Sequence, residues 1–571
     1  MAAEKDPNDV EFKRFDDLLL KIGHFGRFQK LMLIFIAVIS FVVGYQNVSS
    51  VFTLNIPKHR CQIPGLPNDT YLIQSDAHLH LINESIPLEP DGEYSECNIF
   101  ENLLSGNSSS ANSSRPQKTC SSWVYDKTVF ERTLTTDLNL VCGNKIFRSH
   151  SNMLMFAGKF LGAISQGFAS DKFGRRRVVI ATAAGILVGS IGHAFVSDLT
   201  TLFIFRFIIG MMTTAHYLAL FVLVIEYMDP KHRTIVSLVN RMSFTLTQMS
   251  LIPIAYLQND WQVLQTIIIW PSVLLFLVIW FIPESSRWLV AKNKRGRAEK
   301  IVQRAARINR VKLPQNVMSE LQVNSDRTSV SPWPLFNNPK LCVRWAVIYS
   351  NWFVISMTYY GLTLNVSNMG GNIFLNFFLT VIVDFVASTT TGLLAEKFSR
   401  KRFHITVLTI GGCACAASFI PVITGGNKWI VIAVSMVGKM GISSAYFLIY
   451  QLTAELFPTT YRAFGLGSSS MVARIGGIAS PYIADLNTYV QGPFGEVLPQ
   501  LVFGGAGIVG GLLALLLPDT RNRKLPETIA DAVNYDQATV VTEHNNDATK
   551  ETELADSKIS EDDEQILKEH V

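Results

Sequence analysis

Charged residues are scarce in this chain. They make up 17% of its 571 residues, whereas hydrophobic residues make up 48%, and 36 residues are phenylalanine. A helix of a soluble protein is apolar along one stripe, but a helix that is apolar all round is buried or lies in a membrane. The composition therefore excludes a large soluble helical protein and indicates a membrane protein.

Several kinds of chemical site are also missing from the sequence. We find no nucleophile triad, no metal-ligand cluster and no nucleic-acid-binding module. The stretch "VGKM" (437–440) lacks both the upstream glycine and the serine or threonine of a phosphate loop. These absences argue against an enzyme, an ATP-driven pump and a nucleic-acid partner, and we expect no metal or other cofactor.

Long apolar runs are what the chain has instead. A helix of about 20 residues crosses roughly 30 Å of hydrocarbon, and membrane helices tolerate Gly, Pro and polar residues when they pack against neighbours. The runs predict an all-α polytopic membrane protein with twelve spans. The spans lie near residues 28–54, 151–170, 178–197, 202–228, 235–257, 261–282, 342–362, 373–395, 404–423, 429–456, 463–488 and 497–518.

Two basic stretches determine the expected orientation. The segment "DKFGRRR" (171–177) follows the second span, and residues 287–312 follow the sixth. Lys and Arg accumulate in short cytoplasmic loops, and four spans separate the two stretches. We therefore expect both stretches and both termini in the cytoplasm. Residues 1–27 are charged and lack a cleavable signal, so we expect the first span to be a permanent helix.

The loop after the first span, about residues 55–147, is then extracellular. It holds four of the seven cysteines, and an even number in an oxidising compartment indicates two disulfides with three alternative pairings. It also holds four sequences of the N-glycosylation type. The cysteines are Cys61, Cys97, Cys120 and Cys142, and the glycosylation acceptors are Asn68, Asn83, Asn107 and Asn112.

The charged segments recur along the chain. "GFASDKFGRRR" (167–177) recurs with several differences as "GLLAEKFSRKR" (392–402), where Glu396 corresponds to Asp171. Two further pairs repeat at nearly the same offset. Glu226 and Arg233 match Glu455 and Arg462, and "PESSR" matches "PDTRNR". The repeats predict two halves of six spans each.

The expected organisation follows from these repeats. The segments are an N-terminal segment 1–27, a first half 28–282 that includes the loop 55–147, a basic linker 283–341, a second half 342–518, and a polar cytoplasmic tail 519–571, disordered toward its end. Two six-span halves in parallel repeat are the plan of major facilitator transporters, which bind substrate near the midplane and rock about that site.

The repeated charges are candidates for gating residues. They are Asp171, Arg175, Glu226, Arg233, Glu396, Glu455 and Arg462. Topology alone explains the arginines but not the acid at position 171 or its copy. Our hypothesis is that Asp171 interacts with cations and helix ends across the boundary between the halves when the cytoplasmic side is closed.

Over essentially its whole length the chain resembles the organic cation, anion and zwitterion transporters of solute carrier family 22. Some of the matching motifs also occur in sugar porters, but the long outer loop and the "GRFQ" entry favour family 22. Within the family the chain is most similar to carnitine and organic cation members. The motifs are "GHFGRFQ" (23–29), "DKFGRRR" (171–177), "PESSRWL" (283–289), "TAELFPTTYR" (453–462) and "LPETI" (525–529).

Ionisable residues inside spans are costly and face a cavity or a partner. Five lie in the predicted spans: Lys159, Arg241, Asp384, Lys439 and Arg474. A site with both signs suits a zwitterion, although a structural ion pair is the alternative. For Lys439, in a glycine-rich helix, a structural role is favoured.

The resemblance sharpens the choice of substrate. Arg474 matches a position that is typically Asp in the cation branch and Arg in the anion and zwitterion branches. Asp384 matches an acidic position found widely in the family, and Ser388 stands where anion carriers often have Lys. Arg241 matches a cavity-facing position, and with Lys159 it makes the cavity positive. The resemblance thus implies a carboxylate on the substrate.

Aromatic residues are candidates for holding a quaternary ammonium by cation–π attraction. Trp352 and Tyr359 lie seven residues apart on one face of the seventh span and match family cavity positions. Tyr446 and Tyr450, four apart in the tenth span, are weaker candidates. Packing or contact with lipid is the alternative for all four.

Three functions remain open at this point. The first is a secondary active or facilitative plasma-membrane transporter of small organic cations or zwitterions, carnitine-like. The second is a transporter of the same kind for organic anions, and the third is a membrane receptor or scaffold without transport. The retained gate motifs in both halves argue against the third. A coupling ion, Na⁺ or H⁺, is left open.

Overall fold

A computed structural model describes most of the chain. The described residues are 15–535 apart from 24, 90–91, 102–115, 230–231, 315–332, 370, 396, 489, 491–492, 522 and 524. Four sequence predictions fall outside them: the acceptors Asn107 and Asn112, the gate candidate Glu396, and disorder near the end of the tail.

Helices dominate the described residues. Twelve of them have 18 or more residues, and each overlaps one predicted span. They are α1 (Arg27–Val48), α2 (Ile146–Phe173), α3 (Arg175–Ala194), α4 (Leu199–Ile225), α5 (Arg233–Leu257), α6 (Trp261–Val278), α7 (Pro339–Leu364), α8 (Ile373–Leu394), α9 (Arg400–Ala417), α10 (Lys428–Leu456), α11 (Arg462–Ala484) and α12 (Pro493–Ala514).

Among the described residues, eight of these helices are long and apolar enough to cross a membrane on those criteria alone. The other four are α2, α5, α7 and α11, and three of these carry a predicted site cation, at Lys159, Arg241 or Arg474. Such helices need neighbours to shield their polar residues. Twelve spans and cytoplasmic termini stay predictions.

The two halves pack their helices in the same way. In the first half the pairs are α2–α4, α3–α4, α1–α5, α3–α6, α1–α4 and α1–α6, and each pair recurs six helices later. Between the halves, α2 packs on α11 and α5 packs on α8. The repeat relates α2 to α8 and α5 to α11, so it converts one of these contacts into the other. The boundary between the halves is therefore pseudo-symmetric.

The shorter elements lie at the two ends of the helices. Helices occupy Phe15–Lys21, Ser50–Thr53, Asp76–Ser85, Leu134–Asp137, Ser286–Ala291, Arg295–Asn309, Trp333–Phe336, Phe419–Ile423 and Ile529–Val533. Single 3₁₀ turns occupy Cys142–Asn144, Ile279–Phe281, Asn365–Asn368 and Leu486–Thr488. We call the end that carries the loop 54–145 the loop face and the end that carries the linker between α6 and α7 the linker face.

Two small antiparallel sheets and two disulfides order the loop face. Strand β1 (His59–Cys61) pairs with β4 (Trp123–Tyr125), and β2 (Asn98–Phe100) pairs with β3 (Gln117–Thr119). The disulfides join Cys61 to Cys120 and Cys97 to Cys142. Two disulfides among the four cysteines were predicted and are confirmed, whereas their pairing was left open. The acceptors Asn68 and Asn83 are both exposed.

The linker is fastened to the start of the chain through one residue, Asn309. Its side chain accepts a hydrogen bond from the Phe28 backbone N–H at 2.8 Å and so caps α1 from a distance. It also donates to the Ile22 carbonyl and to Gln29, each at 2.9 Å. A Cβ at Gly26 would lie 2.4 Å from Asn309. The "GHFGRFQ" segment therefore forms a socket for the linker helix.

Candidate functional site

A buried carboxylate lies at the centre of the second half. Asp384 on α8 accepts hydrogen bonds from the Tyr359 hydroxyl at 2.9 Å and from the Ser443 hydroxyl. The Lys439 ammonium of α10 lies 3.7 Å from the same carboxylate, and Lys439 is 2% exposed. A buried charge needs a partner and further hydrogen bonds, and here each charge has both.

Lys439 is committed to its own half. Its ammonium donates to the Tyr359 carbonyl at 2.9 Å and to the Thr363 hydroxyl at 2.6 Å. It also lies 3.6 Å from the centroid of the Tyr359 ring. Tyr359 thus holds both Asp384 and Lys439, so the ring face on the lysine side is occupied.

Three aromatic residues of α7 and α10 form a wall beside this ion pair. The Trp352 ring packs edge-on to Tyr450, 4.4 Å between centroids, and its indole N–H donates to the Thr453 hydroxyl at 2.8 Å. Tyr446 lies 5.2 Å from Tyr359 and 5.9 Å from Tyr450. Trp352 is 1% exposed and Tyr450 is 44% exposed. Tyr446 is partly exposed, so both tyrosines are more accessible to a ligand than the tryptophan.

The second-half cation of the predicted site is Arg474 on α11. Its guanidinium donates to the Ser470 carbonyl at 2.8 Å and to the Ser470 hydroxyl at 2.6 Å. It lies close enough to Tyr360, Tyr446 and Lys159 to act on them electrostatically. In the described part of the chain, no carboxylate contacts Arg474. Asp384 and Arg474, the two residues of opposite sign predicted for the site, therefore do not form an ion pair with each other in this structure.

Lys159 brings the first half to the same place. Its ammonium lies 4.5 Å from the Phe156 ring of its own helix and 5.7 Å from the Tyr360 ring of α7. Phe156 and Tyr360 pack edge-on at 4.8 Å across the boundary between the halves. This contact places Lys159 among residues of both halves.

Arg241 is the second cation from the first half. Its guanidinium contacts the Ser388 hydroxyl of α8, one turn beyond Asp384. Its neighbour Asn240 donates to the Tyr217 hydroxyl at 2.8 Å. The serine at position 388 thus receives an arginine from the opposite half, at the place where anion carriers of the family often have Lys.

Sequence reasoning missed a buried cation in the fourth helix of the first half. Arg206 on α4 is 2% exposed and donates to the Ser151 hydroxyl at 3.2 Å and to the Asn152 side chain at 3.3 Å. It lies inside the apolar run 202–228, where an ionisable residue is costly. The rule that selected the five other residues would have selected it too.

In the described residues, an ion pair of the same design lies at the linker face of each half. Arg175 lies 3.3 Å from Glu226 and 3.1 Å from Asp171. Six helices later, Arg400 pairs with Glu455. Three of the predicted gating acids, Asp171, Glu226 and Glu455, therefore contact arginines of their own half. Among the described residues, the Asp171 carboxylate makes no contact with the other half, and its gating role stays a prediction.

The acids of the third repeated motif, "PESSR" and "PDTRNR", lie at the turns before α3 and α9. The Glu284 carboxylate accepts from the Arg176 backbone N–H at 3.0 Å, at the start of α3. Its counterpart Asp519 accepts from the Ser399 hydroxyl at 2.8 Å, at the start of α9. Carboxylates are stabilised at helix N-termini. Gly174 has φ of 100°, and a Cβ there would lie 2.4 Å from Glu284.

The two remaining gating candidates lie at helix starts. Arg233 and Arg462 are the first residues of α5 and α11.

A polar cluster joins the two halves at the loop face. The Arg148 guanidinium lies 3.6 Å from the Asp485 carboxylate, which also accepts from the Ser149 hydroxyl at 2.5 Å. His150 and the Tyr482 hydroxyl are 2.8 Å apart. Sequence reasoning did not select these residues, because charges at helix ends are common.

Comparisons with known proteins agree with this architecture. The sugar (and other) transporter family matches residues 108–529. The inward open conformation of the xylose transporter XylE from E. coli has a TM-score of 0.58 at 13% identity and covers 87% of this chain and 98% of that chain. The crystal structure of the D-xylose-proton symporter gives 0.56 at 13%, covering 86% and 98%. The fold is therefore the predicted major facilitator fold.

Relatives with higher identity define the family. The organic cation transporter protein of Drosophila melanogaster is 32% identical over 91% of this chain and 95% of that protein. Human solute carrier family 22 member 2 is 32% identical with the same coverage, and human member 13 is 30% identical over 91% and 93%. The chain belongs to solute carrier family 22. It is thus a transporter of the major facilitator class and not an enzyme.

Proposed function

We propose that this chain is a plasma-membrane transporter, secondary active or facilitative, for small organic zwitterions and cations of the carnitine type. The relatives named as organic cation transporters support the cationic part of the substrate. The linker face is then cytoplasmic and the loop with the predicted glycosylation acceptors extracellular, in line with the basic linker and the disulfides.

The distribution of charge at the boundary between the halves carries the proposal. Asp384 is held by Lys439 and Tyr359. In the described residues no carboxylate contacts Lys159 or Arg474. The site therefore offers uncompensated positive charge to a carboxylate, and the adjacent Tyr446 offers a ring to an ammonium.

Alternating access then requires the two halves to rock about this site. The loop-face cluster of Arg148, Ser149 and Asp485 must separate to open the site outward. The ion pairs of Arg175 with Glu226 and of Arg400 with Glu455 stiffen the linker face of each half. Each half is thus able to move as a unit.

Organic anions are the second candidate substrates. The three cations Lys159, Arg241 and Arg474 favour them, because a positive cavity attracts any carboxylate. The tyrosine rings favour a substrate that also carries a positive charge.

Uptake into cells that express the chain separates these candidates. The substrates are labelled carnitine, the quaternary amine tetraethylammonium, and a dicarboxylate. We expect uptake of carnitine and weaker uptake of the amine. Asp384→Asn is expected to reduce the uptake of both, whereas Arg402→Gln, 82% exposed at the linker face, serves as the control and leaves it unchanged.

Transport of the dicarboxylate alone would show an organic anion carrier. Absence of all three activities in cells where the chain reaches the surface would favour a receptor or scaffold. Repeating carnitine uptake without Na⁺, and then across a proton gradient, identifies the coupling ion or shows facilitated diffusion.

A further inference from the structure

The linker helix Arg295–Asn309 has one buried face. Ala298, Val302, Ala305 and Ala306 are each at most 2% exposed. The first three belong to the core of the first half. Together with Asn309, which is hydrogen-bonded to the socket before α1, they fix the orientation of this helix. Its opposite face must therefore point away from the protein.

That opposite face is basic. Arg297, Lys300, Arg304 and Arg307 follow one another at spacings of three, four and three residues, so they lie on one side of the helix. All four are exposed, and no carboxylate contacts them in the described part of the chain. Like charges at this spacing destabilise a helix, so a bound anion would stabilise it. We call these four residues the basic face.

The surroundings of the basic face add to its charge. Residues 292–314 contain nine Lys and Arg but one acidic residue, Glu299, which accepts a hydrogen bond from Gln303. A shallow depression beside the helix start is lined by residues 293–297 and Lys300. The surface is thus built to meet an extended, strongly acidic partner.

The chain itself contains such a partner. Residues 536–571 hold eleven Asp and Glu against three Lys, a formal net charge of −8. Residues 292–314 have a formal net charge of +8. The two segments match in sign and in number.

The described structure also fixes where this acidic segment starts. Tyr535 is 2% exposed, its carbonyl accepts from Arg523 at 2.5 Å, and the helix Ile529–Val533 before it is held by Arg344. A random coil of 36 residues spans about 30–36 Å on average. Such a tether gives an effective concentration on the order of millimolar. The acidic segment therefore starts in the second half at the linker face, the same end of the molecule that carries the basic face.

We propose that the basic face of the linker helix is the docking surface for residues 536–571 of the same chain. The docked segment connects the second half to the first half at the linker face. Charge balance and tethering favour this occupant over anionic lipid headgroups, which are the competing occupant in the test.

Zero-length carbodiimide cross-linking of the full chain, read by mass spectrometry, tests the proposal. The reagent joins a carboxylate to a lysine amine in direct contact, so Lys300 reports on docking. In phosphatidylcholine nanodiscs we expect links between Lys300 and Asp or Glu of residues 536–571. Arg304→Gln with Arg307→Gln leaves the lysine in place, and we expect the yield to fall at least about fivefold.

A matched control variant is available on the loop face. Lys118→Gln with Lys127→Gln removes two exposed charges there and is expected to leave the yield unchanged. The proposal is overturned if neutral nanodiscs give no such link, or if Arg304→Gln with Arg307→Gln gives the parental yield. Loss of the link when phosphatidylserine is added would assign the basic face to lipid instead.

Discussion

The two halves of this transporter share their helix packing but bury different charges. The second half encloses a complete ion pair, Asp384 with Lys439. The first half encloses Arg206, which rests on hydroxyl, amide and thioether groups of α2. The repeat therefore determines the architecture and the linker-face ion pairs, whereas the residues that break the repeat determine the charge of the candidate site.

The largest expected effect comes from breaking the ion pair of the second half. Asp384→Ala leaves Lys439 buried without its counter-charge, which costs about 3–5 kcal/mol of stability. We expect the double variant Asp384→Asn with Lys439→Met to recover most of the unfolding temperature of the purified protein but not transport. If Asp384→Ala unfolds at the parental temperature, the pair is not structural.

The loop of the first half has no counterpart in the second, and its disulfides stabilise it. Cys97→Ser with Cys142→Ser opens a link of sequence separation 45 and is expected to cost about 2–4 kcal/mol. Surface expression should fall, as measured by biotinylation. Cys413→Ser, at an exposed free cysteine, is the control, and an equal loss in both variants would contradict the argument.

The two linker-face ion pairs allow a direct comparison between the halves. Arg175 is 13% exposed and contacts two carboxylates, whereas Arg400 is 31% exposed and contacts Glu455. We expect Arg175→Ala to cost about 2 kcal/mol and Arg400→Ala about 1 kcal/mol. Thermal unfolding measures the loss of stability in each variant. The charge-swap variants Arg175→Glu/Glu226→Arg and Arg400→Glu/Glu455→Arg, measured in the same way, show how much of each loss is due to the ion pair. A larger loss of stability in Arg400→Ala than in Arg175→Ala would contradict this expectation.

The smallest effect concerns the caps of the equivalent helices α1 and α7. Asn338 caps α7 locally through the Lys340 backbone N–H at 3.0 Å, whereas Asn309 caps α1 from 281 residues away. Asn338→Ala is expected to cost about 0.5–1 kcal/mol and Asn309→Ala about 1–2 kcal/mol, because it also frees the linker helix. Hydrogen exchange of residues 295–309 should rise only in Asn309→Ala.

Much of this fold was predictable from the sequence, because membrane spans need long apolar runs and repeated halves leave repeated motifs. All twelve runs became long helices, and "DKFGRRR" and its copy both ended up at turns between helices. The two disulfides followed from compartment and parity, but their pairing depends on the sheets of the loop.

The site was predictable as a set of residues and not as a set of contacts. Apolar surroundings select Lys159, Asp384 and Arg474, since the cost of burial is visible in the sequence. Which cation neutralises Asp384 depends on helix rotation, and it proved to be Lys439. The loop-face partners Arg148 and Asp485 lie 337 residues apart in sequence and only the packing of α2 on α11 brings them together.

The ratio of carnitine uptake to tetraethylammonium uptake in Arg474→Asp tests the central claim most directly. If Arg474 holds the carboxylate of a zwitterion, charge reversal should lower this ratio at least about tenfold, which corresponds to about 1.4 kcal/mol. Arg402→Asp, at the exposed linker face, controls for the added charge. An unchanged ratio in Arg474→Asp, in cells with normal surface expression, would contradict the account and leave Arg474 a structural residue.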